Sequence, residues 1–251
     1  MKSTATIIVC GLALASTAST HPTSFIPGET AEYKVSWMGI PLAWSTTSID
    51  ATNGLIRIRQ VSQTYKAYTH IYQVDDATEV MVDPATSLPV SLDFKLNEGS
   101  IRKSHFTRFD HANKQAVFID RISNTTNTVA IHENTRDILT FLYSVRNQPL
   151  QSLANEIHEL YVEGKIYELG LELHRTKGLH LPEYGKVECT EIEPLAEFDG
   201  LFLRQGKIFF WVSKQNRRMV TCIEAKVPVG KINVKLQSVS GPGDDFWVRS
   251  E

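Results

Sequence analysis

The sequence predicts a mainly β protein in which an antiparallel meander curls into a barrel or half-barrel with one central amphipathic helix. Three observations support this fold class. Runs of alternating apolar and polar residues recur in both halves of the chain, turn residues separate the runs, and only residues 134–149 have a clear helical periodicity. Connections this short leave no room for the crossover helices that parallel strands need, so the strands are expected to run antiparallel.

The alternating runs indicate about a dozen strands, divided between the two halves of the chain. In the first run, residues 31, 33, 35 and 37 are apolar or aromatic, and the residues between them are polar. Turn residues such as 52–54 and 97–99 separate the runs, and Glu163-Gly164 joins a predicted hairpin in the second half. Twist accumulates in a sheet of this many strands and its edges stay open to other chains, which favours curling.

Residues 134–149 predict the central helix. Its apolar residues share one face: Ile138, Leu139, Phe141, Leu142 and Val145. Asn134 is the expected N-cap, with Asp137 in the first turn. Arg146 lies at the negative end of the helix dipole, and Pro149 ends the helix. Asp137 and Arg146 would be about 13 Å apart, so each needs another partner, for which Arg217 or a strand carboxylate would serve.

The N-terminal residues have the composition of a secretory signal peptide. One lysine precedes a short apolar core and then small residues, so cleavage is expected after Ala15 or, preferably, Ala18. Acylation of Cys10 would make a lipoprotein, but Val9 stands where such signals need a small residue. Residues 1–18 are therefore predicted to be a signal peptide, 19–239 a single β-rich domain and 240–251 a loosely ordered tail. The mature protein is expected to be periplasmic or secreted.

Composition limits the class of partners. The net charge of −2 is near neutral and the charges are dispersed, which argues against nucleic-acid binding. No polybasic stretch indicates binding to anionic lipid. No second long apolar segment follows the leader, so no transmembrane helix is expected after cleavage.

Two cysteines, Cys189 and Cys222, remain once the leader is removed. An even pair in an oxidising compartment is compatible with a disulfide, and two buried thiols on strands are the alternative. A meander places the strand at 207–213 between them, so that about 9.6 Å would separate their strands. This exceeds the Cα limit of roughly 7 Å for a disulfide, and two free thiols are therefore favoured.

No residue pattern indicates catalysis or metal binding. Asp75 and Asp76 are neighbours on a predicted strand and would point to opposite faces, so they cannot act as a carboxylate pair. The histidines lack the spacing of a metal site, and neither a calcium loop nor a serine nucleophile motif occurs. No catalytic residue, metal ligand or cofactor is therefore predicted, and a hydrolase is retained only as a third functional alternative.

Several fragments in a fixed order resemble the domain of unknown function 3108 family of secreted bacterial proteins. They cover residues 25–236 and include Phe25-x-x-Gly28-Glu29, the helical fragment 137–146 and strand fragments at 206–218 and 230–236. Ala43-Trp44 and Gln215-Asn216 depart from the family pattern, so the resemblance assigns no shared active site to these positions. It implies a β-rich envelope protein and confers no activity.

The predicted curved sheet and its helix lead to two hypotheses for a non-catalytic envelope protein. In the first, the sheet binds or carries an apolar or amphipathic, lipid-like ligand. The candidate ligand-binding residues are aromatic or basic: Trp37, Tyr143, Arg146, Trp211 and Arg217. In the second, the core is filled, and an exposed strand edge or exposed aromatic side chains meet an envelope protein. An interior void of about 300 Å³ or more would favour the first hypothesis.

Overall fold

The computed structural model describes residues 24–195, 207–214, 218–227 and 230–242. Eight strands precede the helical segment: β1 (Thr30–Trp37), β2 (Ile40–Thr52), β3 (Leu55–Thr64), β4 (Asp75–Asp83), β5 (Leu88–Glu98), β6 (Ile101–Asp110), β7 (Gln115–Asp120) and β8 (Thr125–Ala130). Six strands follow it: β9 (His158–Val162), β10 (Lys165–Leu181), β11 (Gly185–Leu195), β12 (Lys207–Ser213), β13 (Val220–Val227) and β14 (Gly230–Ser240). A short 3-10 turn, Lys66–Tyr68, lies between β3 and β4.

All fourteen strands of the described ranges belong to one antiparallel sheet. Its order runs from β8 back to β1 and then from β14 back to β9, so two meanders are joined where β1 pairs with β14. β8 and β9 form the two edges, and the sheet is curled without closing. The predicted antiparallel meander is confirmed. Of the two predicted forms, a closed barrel and an open half-barrel, the sheet has the open one.

The edge strand β9 contacts the first meander through side chains. The hydroxyl of Tyr161 lies 2.9 Å from Oγ1 of Thr107, and its ring meets the Phe109 ring edge-on at a centroid distance of 5.0 Å. In the β9–β10 turn, Glu163 accepts a hydrogen bond from Nζ of Lys103 at 2.7 Å. The curl therefore brings β9 onto β6, although the two strands are far apart in the order of the sheet.

The helical segment is shorter than predicted. Helix α1 spans Ile138–Ser144, a 3-10 turn covers Val145–Asn147, and a second helix, α2, spans Leu150–Ala154. The expected N-cap, Asn134, is wrong, because Asp137 accepts hydrogen bonds from the N–H groups of Leu139 at 2.9 Å and Thr140 at 3.1 Å. Only a side chain directly before the first helical residue reaches these free N–H groups. Pro149 was expected to end the first helix, and instead it is the N-cap of α2.

Helix α1 packs between the apolar interiors of the two meanders. Leu139 and Tyr143 join the core cluster of the first meander, which includes residues of β2, β3 and β4. Phe141 packs on the second meander with Leu160 of β9 and Leu169 of β10. The predicted burial of the apolar residues is therefore confirmed for Leu139 and Phe141, and the helix contacts both halves of the chain.

The two cysteines lie on strands that β12 separates, as the meander predicts. Cys189 and Cys222 are both buried, and both thiols are free. Burial raises the pKa of each thiol to about 11. The structure therefore agrees with two protonated, free thiols.

Both predicted terminal segments fall largely outside the described residues. These include all of the predicted signal peptide and the tail from residue 243 onwards. Strand β14 continues to Ser240, and Gly241 approaches the backbone so closely that a Cβ there would lie 2.0 Å from the carbonyl oxygen of Gly28. Within the described ranges, none of the helices has the length and hydropathy needed to cross a membrane.

Candidate functional site

A buried ion pair joins the helical segment to the start of β1. Arg146 lies in the 3-10 turn after α1 and donates from Nη1 to Oε1 of Glu29 at 2.7 Å and from Nη2 to Oε2 at 2.9 Å. Glu29 is only 1% exposed and Arg146 only 4%. Burial acts to lower the pKa of Arg146, but the hydrogen bonds and the charge of Glu29 outweigh it and raise the pKa. The guanidinium therefore keeps its charge inside the protein.

Two tyrosines complete this group, termed the anchor cluster: Glu29, Tyr33, Tyr143 and Arg146. The guanidinium of Arg146 lies over the Tyr143 ring, 5.0 Å from its centroid. Tyr33 donates its hydroxyl to the carbonyl oxygen of Val220 at 3.1 Å, which ties β1 to β13. Burial raises the pKa of both tyrosines far above the ordinary value of 10.0. Both hydroxyls therefore stay protonated near neutral pH, and the cluster ties the helical segment to the sheet.

Two small cavities lie on either side of α1. The first, about 70 Å³, is bounded by Tyr33, Tyr143 and Arg146 and by apolar residues of β13 and β14. The second, about 60 Å³, lies between α1 and strands β9 to β13, and its lining is apolar apart from Arg218. Leu142 lines both cavities and stands between them. Both volumes are far below the roughly 300 Å³ of the smallest ordinary ligand sites.

Four of the five predicted ligand-binding residues lie in the described ranges, and the structure brings two of these four together. Tyr143 and Arg146 meet in the anchor cluster. Trp37 lies at the β1–β2 turn and is 38% exposed. Trp211 is buried, and it alternates along β12 with residues that line the second cavity, so it points to the opposite face of the sheet. Arg217 lies outside the described residues. The structure therefore places Trp37 and Trp211 apart from the other two residues, because the sequence does not show which part of the curled sheet each face meets; the ligand-binding role of these residues stays a prediction.

A polar surface cleft of about 580 Å³ lies beside the segment that follows β8. In this cleft Glu159 accepts hydrogen bonds from the hydroxyl of Thr135 and from His132. Burial acts to raise the pKa of Glu159, but these hydrogen bonds outweigh it and lower the pKa. The His132 ring bonds to Glu159, and the hydroxyl bonded to the same carboxylate belongs to Thr135, which is fully buried.

A second polar cluster lies on β10 and β11. Glu172 faces Glu193 across the two strands, and ligand-type atoms of these residues and of His174 lie within 4.8 Å of one another. Nζ of Lys207 donates to Oε1 of Glu193 at 2.9 Å, and Nε2 of His174 lies 2.9 Å from Oε2. Both carboxylate oxygens of Glu193 therefore have partners, and the group forms a surface network of ion pairs.

Exposed apolar side chains gather at one end of the sheet, termed the turn end. This end carries the β1–β2, β3–β4, β5–β6 and β7–β8 turns, and antiparallel alternation places the β9–β10 turn there too. In the described part of the chain, nine of the eleven exposed large hydrophobic residues lie at this end: Trp37, Met38, Ile40, Tyr65, Ile71, Tyr72, Ile101, Ile119 and Ile122. The other two, Ile157 and Leu195, lie together beside Gly170, away from these turns.

Comparison with protein families identifies the family to which the chain belongs. The sequence profile described as Protein of unknown function (DUF3108) matches residues 32–237, which is most of its length. The chain belongs to the DUF3108 family. No curated protein matches the sequence of this DUF3108 protein.

A solved structure supports the fold of the DUF3108 chain. It is the crystal structure of a beta-barrel-like protein of domain of unknown function DUF1849 from Brucella abortus, with a TM-score of 0.58 and 9% sequence identity. The similarity covers 86% of the DUF3108 chain and 98% of the other chain. At this identity it shows a shared fold and carries no function.

The fragments that mark the DUF3108 resemblance meet in three dimensions. The Phe25 ring stacks on the Tyr143 ring at a centroid distance of 5.8 Å, and Glu29 pairs with Arg146. Gly28 lies between them with a φ of +91°, which favours glycine, and donates its N–H to the carbonyl oxygen of Ile49 at 2.7 Å. The spacing in the sequence does not indicate Glu29 as the partner of Arg146, because 117 residues separate the two. The first fragment therefore serves to hold the helical segment against the sheet.

Proposed function

We propose that this protein is a non-catalytic component of the bacterial envelope that docks its turn end onto an apolar partner surface. One observation carries the proposal: in the described ranges, nine of the eleven exposed large hydrophobic residues lie at that end, and the other two, Ile157 and Leu195, lie together beside Gly170. The turns at the opposite end, such as residues 53–54, 84–87 and 111–114, hold no exposed large hydrophobic residue. A concentration of exposed apolar side chains at one end is typical of interaction sites on folded proteins.

The interior supports an interaction function over a carrier function. The two cavities beside α1 measure about 70 and 60 Å³, and Leu142 stands between them. An acyl chain would need several times that volume. The small size of these two cavities supports the second sequence hypothesis, in which the core is filled. A lipid that co-purifies with the protein, found by native mass spectrometry and organic extraction, would favour the carrier instead.

The non-catalytic part of the proposal rests on the chemistry of the polar groups. In the polar cleft the hydroxyl bonded to Glu159 belongs to Thr135, which is fully buried, and burial keeps the tyrosines of the anchor cluster protonated at neutral pH. The envelope location rests on the leader predicted at residues 1–18 and stays a proposal.

Sedimentation with membranes from a Gram-negative envelope tests the docking function. The triple variant Met38→Ser, Ile71→Ser, Ile122→Ser removes side chains that are 63%, 58% and 56% exposed, so its fold is expected to be unchanged. Ile157→Ser is the matched control, because Ile157 is 70% exposed and lies beside Gly170, away from the turn end. We expect the wild type and the control to sediment with the membranes and the triple variant to stay in the supernatant. Equal sedimentation of all three proteins would refute the proposal.

A further inference from the structure

We infer that the surface which the turn end meets is a phospholipid bilayer with anionic headgroups. The inference rests on the proposed function and specifies its partner. The shape of the turn end, the chemistry of its side chains and its charge support it independently.

The exposed residues are spread along a line of turns. The β1–β2, β3–β4, β5–β6 and β7–β8 turns follow one another along the sheet, two strands apart. At about 4.8 Å per strand, the first and last of these turns are about 29 Å apart along the sheet. Each turn contributes one to three exposed apolar side chains. Such a row of projecting tips fits a flat, fluid surface better than the concave pocket in which a protein partner holds a compact cluster of anchors.

Hydrogen bonds between neighbouring elements hold these tips in place. The N–H of Met38 donates to the carbonyl oxygen of Lys231 at 2.9 Å, and the N–H of Tyr65 donates to that of Leu42 at 2.9 Å. The N–H of Gly99 donates to the carbonyl oxygen of Gln73 at 2.8 Å. The tips are therefore ordered before they meet a surface, and docking costs little conformational entropy.

The side chains differ in the way that a membrane interface requires. Met38, Ile71 and Ile122 are aliphatic and more than half exposed, so they can enter the acyl region. Trp37 and Tyr72 are 38% and 47% exposed, and rings with a polar edge prefer the headgroup level. The turn end thus combines inserting aliphatic tips with flanking aromatic rings.

The charge of the β3–β4 segment complements an anionic surface. Residues 65–74 contain Lys66 and His70 and no carboxylate. In the β7–β8 turn, Arg121 is paired with Asp93 at 2.7 Å and leaves little charge for a partner. Glu98 lies beside the β5–β6 turn, where burial and a hydrogen bond with Asp76 raise its pKa to about 7, so its negative charge is reduced near neutral pH. Lys66 therefore gives the β3–β4 segment a positive charge that can meet an anionic headgroup.

Binding to protein-free vesicles tests the inference with the mature chain. The vesicles are pure phosphatidylcholine or an equimolar mixture of phosphatidylcholine and phosphatidylglycerol. We expect the wild type and Ile157→Ser to bind the mixed vesicles and to bind pure phosphatidylcholine more weakly. The triple variant should bind the mixed vesicles more than about a hundredfold more weakly, because three inserting side chains are lost. Lys66→Ser should weaken binding about fivefold, with a smaller dependence on salt.

A fluorescence measurement checks the orientation. Mixed vesicles should shift the tryptophan emission of the wild type to shorter wavelength, and Trp37→Phe should lose most of this shift. Binding without a Trp37-dependent shift, or equal binding by the triple variant, would overturn the inference.

The outcomes separate the inference from the proposed function. Sedimentation with native membranes that depends on the turn end, without binding to protein-free vesicles, would identify a protein partner; it would overturn the bilayer inference and leave the docking function intact. Failure to bind either membranes or vesicles would overturn both.

Discussion

Replacing Glu29 by Gln tests the ion pair that holds the helical segment to the sheet. The substitution keeps the size of the side chain and removes its charge, which leaves the Arg146 guanidinium charged and 4% exposed. Removing one partner of a buried ion pair costs about 3–5 kcal/mol. Because a domain of this kind is held by roughly 5–15 kcal/mol, the loss is a large fraction of the free energy of unfolding.

Urea unfolding followed by circular dichroism measures this loss. We expect a lower midpoint with an unchanged slope for Glu29→Gln and for Arg146→Met. The double variant Glu29→Leu, Arg146→Met replaces both charges by apolar groups and should be more stable than either single variant, with a coupling energy of about 2 kcal/mol or more.

Two results would refute this reasoning. A loss below about 1 kcal/mol for Glu29→Gln would mean that solvent reaches the pair, since exposed ion pairs contribute only about that much. Strictly additive single variants would mean that the two side chains do not stabilise the fold through each other.

Three further predictions follow from the helix, from one carboxyl group and from the thiols. Phe141→Asp places an unpaired charge where α1 meets β9 and should cost several kcal/mol and broaden thermal unfolding; Phe141→Leu is the control, and a wild-type melting curve for the aspartate variant would show that α1 is not packed. Folding raises the pKa of Glu98 from 4.5 to about 7. Between these pH values the folded state binds more protons than the unfolded state, so the free energy of unfolding should fall as pH rises from 4.5 to 7. Glu98→Gln should reduce this pH dependence, as measured by unfolding midpoints at pH 4.5 and pH 7. Cys189 and Cys222 should both react with a thiol reagent after denaturation without reductant, whereas no reaction would indicate a disulfide and contradict the strand order.

The sequence by itself determined the class and the connectivity of the fold. Alternation in segments such as 31–37 predicts strands because successive side chains point to opposite faces, and short turns such as Glu163-Gly164 permit only antiparallel neighbours. These are local properties, and the antiparallel meander follows from them. The position of β12 between the strands of Cys189 and Cys222 was predictable for the same reason.

Some of the turn end was also within reach of the sequence. Met38, Ile71 and Ile122 lie at or beside turns, where apolar residues are unusual, and a meander necessarily gathers alternate turns at one end. The position of these apolar residues at one end of the sheet can therefore be predicted without knowing any tertiary contact.

Only the tertiary structure decided how the sheet curls and what its interior holds. The pairing of β1 with β14 and the contact of β9 with β6 depend on twist summed over fourteen strands, which no local pattern records. For the same reason the sequence does not join Glu29 to Arg146, and it does not separate Trp211 from Tyr143. Alternation fixes which residues share a face of one strand, but the curl of the whole sheet decides what each face meets.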